Sequence, residues 1–236
     1  TPMMSRRWCI GTPERATDTL IGSRSRPGEQ MDPWQAFVAF SIGMGLSAAC
    51  GFRIFLPPLI LSLAARFEWV ELGADMLWLG DTWVTLILAA ATLVEIGAYY
   101  IPWLDNLLDT IATPAAVVAG SSVMAASLDG MHPALQWSLA IIAGGGASGT
   151  MQIGTVATRA LSTATTGGLA NPLVSTGEAG ACLACSLLAV FLPILALVVV
   201  TGMLGLAIML LVRWRRRRGE RGGSERSGPP EGLSVM

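Results

Sequence analysis

The sequence predicts an all-α protein: a polytopic membrane helix bundle of about six transmembrane helices, with broken or re-entrant segments. Three observations predict it. Charge is scarce, with 13% of the 236 residues charged and 53% hydrophobic, against about 25% charged in an ordinary soluble domain. Charge is also segregated. All fifteen basic residues are Arg, and only Arg53, Arg66 and Arg159 lie between the Arg-containing stretches 6–26 and 213–226. Finally, Trp34, Trp69, Trp78, Trp83, Trp103, Trp137 and Trp214 sit at or beside the ends of apolar runs, as an interfacial aromatic belt requires.

Taken in order, residues 1–30 are polar and lack the apolar core of a signal peptide. They are expected to be a disordered tail, with Met31 a candidate start. Residues 31–213 form the transmembrane domain, and 214–236 a disordered, Arg-rich cytoplasmic tail. The run from Trp34 to Phe67 would be about 50 Å long as one helix, against a hydrocarbon core of about 30 Å. Gly51 and Pro57-Pro58 allow a break, so one crossing with a bent or re-entrant portion around Gly51 to Pro58 is expected. Residues 68–82 read as an acidic amphipathic loop carrying Glu68, Glu71, Asp75 and Asp81. Spans are expected at 83–102, at 110–128 and after Pro133, followed by an irregular loop at 162–172. The uncharged run Ala179–Val212 divides near Pro193 into two more.

The positive-inside rule places Arg213–Arg218 in the cytoplasm. Six crossings then put Arg159 inside, Asp75, Asp81 and Asp129 outside, and both termini in the cytoplasm of an inner (plasma) membrane. Arg53 does not fit this scheme. The two halves also echo each other: Gly43-x-Gly45 with Gly144–Gly146, Arg66 with Arg159, and Glu95-x-Gly97 with Glu178-x-Gly180. Three spans per half would make an inverted repeat, an arrangement many transporters use around a midplane site. Chance matching of Gly/Ala-rich helices is the plainer account.

Several residues carry chemistry. Glu95 lies deep in an apolar span, and intramembrane carboxyls usually face a protein interior or a watery cavity. Arg53 is the one similarly embedded base, so an Arg53–Glu95 pair is expected, as structural glue or as a proton or ion site. Asp105 and Asp109 are four apart on one helical face. Paired carboxylates suit Mg²⁺, although acids at an interfacial helix start also explain them. Ser162, Thr163, Thr165, Thr166, Gly167, Gly168 and Asn171 follow Arg159 and offer hydroxyls and flexible backbone for an anion. Cys182-x-x-Cys185 sits in apolar helix, where a packing face is favoured over a redox pair. His132 has no second His with which to build a metal site.

The stretches GLSAACGFRIFLPPL (45–59), IPWLDNLLDTIATPA (101–115) and STATTGGLANPLVST (162–176) resemble a bacterial integral-membrane family, domain-of-unknown-function family 4126. The resemblance covers about residues 34–212. It implies a small Gly- and Ala-rich membrane protein and carries no activity or site residues with it. The functional expectation is a small transporter or channel-like protein rather than an enzyme, with a polar pathway through Arg53, Glu95, Asp105, Asp109, Arg159 and Glu178. Its expected partners are the lipid bilayer, an unidentified small molecule or ion, and further copies of itself in a homo-oligomer; no nucleic acid and no cofactor is expected beyond the Mg²⁺ that Asp105 and Asp109 would suit. The alternatives are a Mg²⁺-dependent enzyme acting on lipid phosphate or prenyl groups, and a structural membrane scaffold.

Overall fold

The first apolar run resolves its excess length by turning back on itself. A computed structural model describes residues 32–72, 74–99, 101–128 and 131–225, with backbone alone at 74, 75, 102–109, 211 and 214–225. Helix α1 (Pro33–Cys50) stops at Gly51, and α2 (Leu56–Arg66) returns beside it. With 18 and 11 residues the two arms reach about 27 and 16 Å. After α2, Trp69 rests on Phe191 at the far end of α7, with ring centroids 5.1 Å apart. The expected bend at Gly51–Pro58 is therefore a hairpin.

A short 3-10 helix (Ala74–Gly80) leads into α3 (Thr82–Ala98), which lies against α2 through the Ser62 and Thr85 hydroxyls, 2.7 Å apart. Helix α4 (Pro102–Ser127) follows after a three-residue break and continues through Pro114. A continuous rod then runs from Pro133 to Thr166: α5 (Pro133–Leu139), a π-helical turn (Ala140–Gly145) and α6 (Gly146–Thr166). Helices α7 (Asn171–Phe191) and α8 (Pro193–Glu225) are separated at Leu192. That division falls where Pro193 predicted it. Every regular element among the described residues is helical.

Two expectations change. Residues 162–166 are helical, so the loop after Arg159 shrinks to the turn 167–170. Thr165 and Thr166 return their hydroxyls to the Leu161 and Ser162 carbonyls, at 2.9 and 2.7 Å, which lets hydroxyl residues sit in helix. The tail beyond Val212 stays helical to Glu225, consistent with the good helix propensity of Arg.

Helix α1 is the axis of the bundle, and between Ser41 and Cys50 only Met44 is not buried. Such all-round burial explains why it shows no apolar stripe. Small residues set its neighbours. A Cβ on Gly43 would fall 2.6 Å from the Met124 sulfur of α4, and one on Gly45 2.6 Å from Ala189 of α7 and 3.3 Å from Ala196 of α8. Ser47 donates to the Gly120 carbonyl of α4 at 2.7 Å, and Cys182 of α7 to the Ala49 carbonyl at 3.3 Å. Read together, these contacts make α1 antiparallel to α4 and α7 and parallel to α8. Pro33 and the Arg-rich end of α8 therefore lie at opposite ends of the bundle.

The surface is apolar. Leu86, Ile87, Leu93, Val94, Ile141, Ile142, Leu173 and Val198 are among many exposed large hydrophobic side chains. Three helices contain stretches long and apolar enough to cross a membrane, Thr110–Ser127, Asn171–Phe191 and Pro193–Leu210. Trp34, Trp69, Trp78, Trp83 and Trp137 are all exposed, and all belong to the end where α1 starts and α7 finishes. Such clustering is what one interfacial girdle requires, and Trp103 in the first turn of α4 and Trp214 in α8 fall toward the opposite end.

The π-helical turn tests this packing. A Cβ on Gly144 would lie 2.6 Å from Met124 Cβ and 2.7 Å from the Gly120 carbonyl oxygen, whereas one on Gly146 meets nothing within 4 Å. Gly144→Ala should destabilise the protein by about 1–3 kcal/mol through overpacking. Gly146→Ala should be neutral or stabilising by up to about 1 kcal/mol, the helix-propensity gain. Thermal unfolding of the two variants in detergent distinguishes them; equal effects would contradict the close approach of the π turn to α4.

Candidate functional site

Reversing a chain inside an apolar bundle strands backbone N–H groups, and at the tip of the α1–α2 hairpin nearly all of them can be traced. Gly51 donates to the Ala48 carbonyl at 3.0 Å, and Phe52 and Arg53 to Ala49 at 2.9 and 3.3 Å. Pro57 and Pro58 occupy the first turn of α2 and have no N–H to satisfy. The Ile54 and Phe55 N–H groups go to the two oxygens of the Glu95 carboxylate, at 2.7 and 3.1 Å. Glu95 thus caps α2 from α3, with its charge at the positive end of the α2 dipole.

This geometry corrects the expected Arg53–Glu95 pair. Glu95 addresses the backbone just beyond Arg53, and the Arg53 guanidinium turns the other way. Its Nη2 donates to the carbonyl and the hydroxyl of Ser175 on α7, at 2.7 and 2.6 Å. The guanidinium carbon stands 3.9 Å from the centroid of the Tyr99 ring. Arg159 of α6 occupies the same ring, 4.1 Å from its centroid. Two cations therefore share one aromatic side chain, an arrangement worth roughly 1–2 kcal/mol per desolvated contact.

Arg159 has its own counter-charge. Its Nε donates to Glu178 Oε2 at 3.0 Å, and its Nη2 makes a further short contact to the same oxygen. Both side chains are buried. Arg159 also lines an open groove of about 660 Å³ between α4 and α6, with Thr110, Thr113, Val156, Ala160, Thr163 and Ala164. It therefore connects the groove to the buried cluster. Several atoms in or beside the cluster have no partner among the described residues: Arg53 Nε and Nη1, Glu178 Oε1 and Ser162 Oγ. Buried polar groups are rarely left this way.

Of the residues predicted from sequence, Arg53, Glu95, Arg159 and Glu178 are brought to one place. Asp105 and Asp109 fall in the first two turns of α4, and their side chains lie outside the described residues, as does the Mg²⁺ reading built on them. Among the described residues no three His, Cys, Asp or Glu gather as a metal site. In the turn after α6 the Leu169, Ala170 and Asn171 N–H groups bond to Thr166 O, Thr166 Oγ1 and Gly168 O. Thr163 and Asn171 bond each other across the turn at 3.1 Å. Cys182 and Cys185 are free thiols. Of the matched repeat residues, Glu95 and Glu178 reach the same cluster. Arg159 reaches it too, whereas its counterpart Arg66 binds the exposed Thr82 hydroxyl.

Sequence reasoning missed Tyr99 and Ser175. Tyr99 follows Glu95 by four residues, and Ser175 precedes Glu178 by three, so each shares a helical face with a residue already singled out. The polar spacing Ser175, Glu178, Cys182, Ser186 on α7, all buried, was the available signal. Since Glu95 serves the backbone and not Arg53, the Arg53→Glu/Glu95→Arg double reversal should fail to recover the melting temperature lost in either single variant. Recovery would show that the two side chains meet.

No curated protein and no solved structure matches the chain. The family model described as Domain of unknown function (DUF4126) matches residues 40–213, a stretch that contains every residue of the cluster, and the chain belongs to that family.

Proposed function

We propose that the chain is a multi-pass membrane protein that conducts or carries a small polar solute through the cluster at the hairpin tip. One observation carries the reading: buried charges of both signs are only partly satisfied by protein, at the tip of a re-entrant hairpin and beside a hydroxyl-lined groove. A scaffold would have every buried charge paired, because each unsatisfied group costs stability and returns nothing. Irregular backbone at membrane depth is tolerated where it is buried in protein or lines a cavity, and broken helices of this kind surround transporter sites.

The membrane arrangement that fits has α3, α4, the α5–α6 rod, α7 and α8 each crossing, while the α1–α2 hairpin enters and leaves on one side. Placing Arg213–Arg218 in the cytoplasm of the plasma membrane puts the groove in the cytoplasmic half and the Trp girdle outside. Pro33 is then external, in place of the cytoplasmic N-terminus that six crossings implied. Lipid, or neighbouring copies of the chain, would cover the apolar faces.

Two measurements test this reading. With the cysteines at 9, 50, 182 and 185 replaced by Ala, Asp81→Cys and Trp34→Cys should react with an impermeant thiol reagent from outside, and Leu169→Cys only from the cytoplasmic side. Trp34→Cys and Leu169→Cys labelling from the same side would sink the hairpin topology. For function, proteoliposomes with gramicidin present to carry the cation, challenged with potassium chloride, potassium bromide or sodium chloride, should swell faster than protein-free vesicles carrying the same ionophore, by light scattering. A folded Arg159→Gln variant should lose at least about tenfold of that rate, on the order of the 1.4 kcal/mol that a tenfold change represents. Wild-type vesicles indistinguishable from empty ones for all three salts would remove the passage.

A further inference from the structure

The cluster contains a buried guanidinium whose donors are only partly used by the described residues. Arg53 is 2% exposed. A guanidinium presents five N–H donors and does not lose its proton in proteins, so it cannot escape burial by becoming neutral as a Lys would. Nη2 is used by Ser175. Nε and Nη1, which carry the other three N–H groups, meet no acceptor among the described residues. Both carboxylates of the cluster are engaged elsewhere: Glu95 by the Ile54 and Phe55 N–H groups, and Glu178 by Arg159. Glu95 acts on Arg53 through space but gives its oxygens to the start of α2, so the Tyr99 ring is what contacts the face of the Arg53 guanidinium. A ring face is a weak substitute for a counter-ion when the guanidinium is buried.

We propose that Arg53 is the inner seat of a small anion, which reaches it from the groove between α4 and α6. The proposal rests on the passage reading above and names the class of solute. The groove is lined by Thr110, Thr113 and Thr163 and ends on Arg159. Arg159 and Arg53 lie over the same Tyr99 ring, so an anion leaving one guanidinium is next to the other. The three unpaired donors of Arg53 do not lie on one edge of the guanidinium, because Nη2 separates them in its donor order and is already engaged by Ser175. This favours a compact anion such as chloride over a planar group gripped by two parallel bonds. Full burial of Arg53 imposes the same size limit.

The test uses the full chain in lipid nanodiscs, exchanged into gluconate and titrated with chloride or bromide at constant ionic strength. The melting temperature should rise and saturate, as linkage to a bound ligand requires, and bromide should give an anomalous-scattering peak within hydrogen-bond distance of Arg53 in crystals. Arg53→Gln should weaken the half-saturating chloride concentration at least tenfold. Should that variant fail to fold, the bromide peak in the wild type and Arg53→Lys, which keeps the charge and loses the fork, still decide the matter. A flat titration with no bromide at Arg53 overturns the anion seat, water then being its occupant. Saturable chloride stabilisation without vesicle swelling keeps the seat and removes the passage, whereas salt flux with a flat chloride titration does the reverse.

Discussion

The bond on which the rest of this architecture depends is the one from the Glu95 carboxylate to the Ile54 and Phe55 N–H groups. An apolar medium supplies no hydrogen bonds, so a chain that reverses within it must find a partner for each backbone group. Here the solution is divided. The α1 carbonyls take the N–H groups of Gly51, Phe52 and Arg53, two prolines remove donors from the first turn of α2, and one carboxylate takes the next pair. Charge-assisted bonds to backbone N–H are worth about 1.5–3 kcal/mol each. Without them the hairpin would leave two donors stranded and a buried carboxylate beside them.

The same turn fixes the chemistry. Arg53 immediately precedes the two residues that Glu95 holds, so its side chain leaves the tip in a direction set by a backbone that cannot easily rotate. Helix α1 delivers that tip because small residues let it run through the middle of the bundle, against α4 at Gly43 and Ser47 and against α7 and α8 at Gly45. Close backbone packing of this kind substitutes in membranes for the hydrophobic drive available in water. Folding and site are therefore coupled: a substitution that opens the α1 packing also moves Arg53 relative to Tyr99 and Ser175.

Much of the fold was legible in the residues, and the reasons for the exceptions are physical. Excess length together with Gly51 and Pro57-Pro58 was enough to demand a break, and Pro193 marked the α7–α8 boundary to within a residue. Burial of Glu95 and Arg53 also followed from their apolar neighbours. Their pairing was a wrong inference because opposite charge is visible in a sequence and a stranded N–H is not. The stretch 162–166 looked irregular because it runs into Gly167, Gly168, Asn171 and Pro172, residues that mark irregular backbone. Here Thr165 and Thr166 satisfy their hydroxyls on the preceding helical turn, and the break waits for Gly167 and Gly168, whose φ angles are +63° and +90°. Tyr99 escaped notice because an aromatic residue at the end of an apolar helix reads as an interface anchor until its two guanidinium neighbours are seen.

The distribution of close contacts also says where the bundle can yield. The hairpin tip is held by Glu95 and by Gly51, whose Cβ position would fall 3.0 Å from the Gln152 N. The first half of the α5–α6 rod is held as well, through Gly144 and Gly145 against α4. The second half of α6 differs. A Cβ on Gly154 meets nothing within 4 Å. Beyond it only Thr155, Arg159 and Ser162 are buried, and one side faces the groove. Hinges are a few loop or helix-end positions that absorb backbone rotation, and Gly167–Gly168 supply such a position directly after this segment. The Arg159 side of the cluster is therefore its loosely packed side, opposite a tip that Glu95 holds.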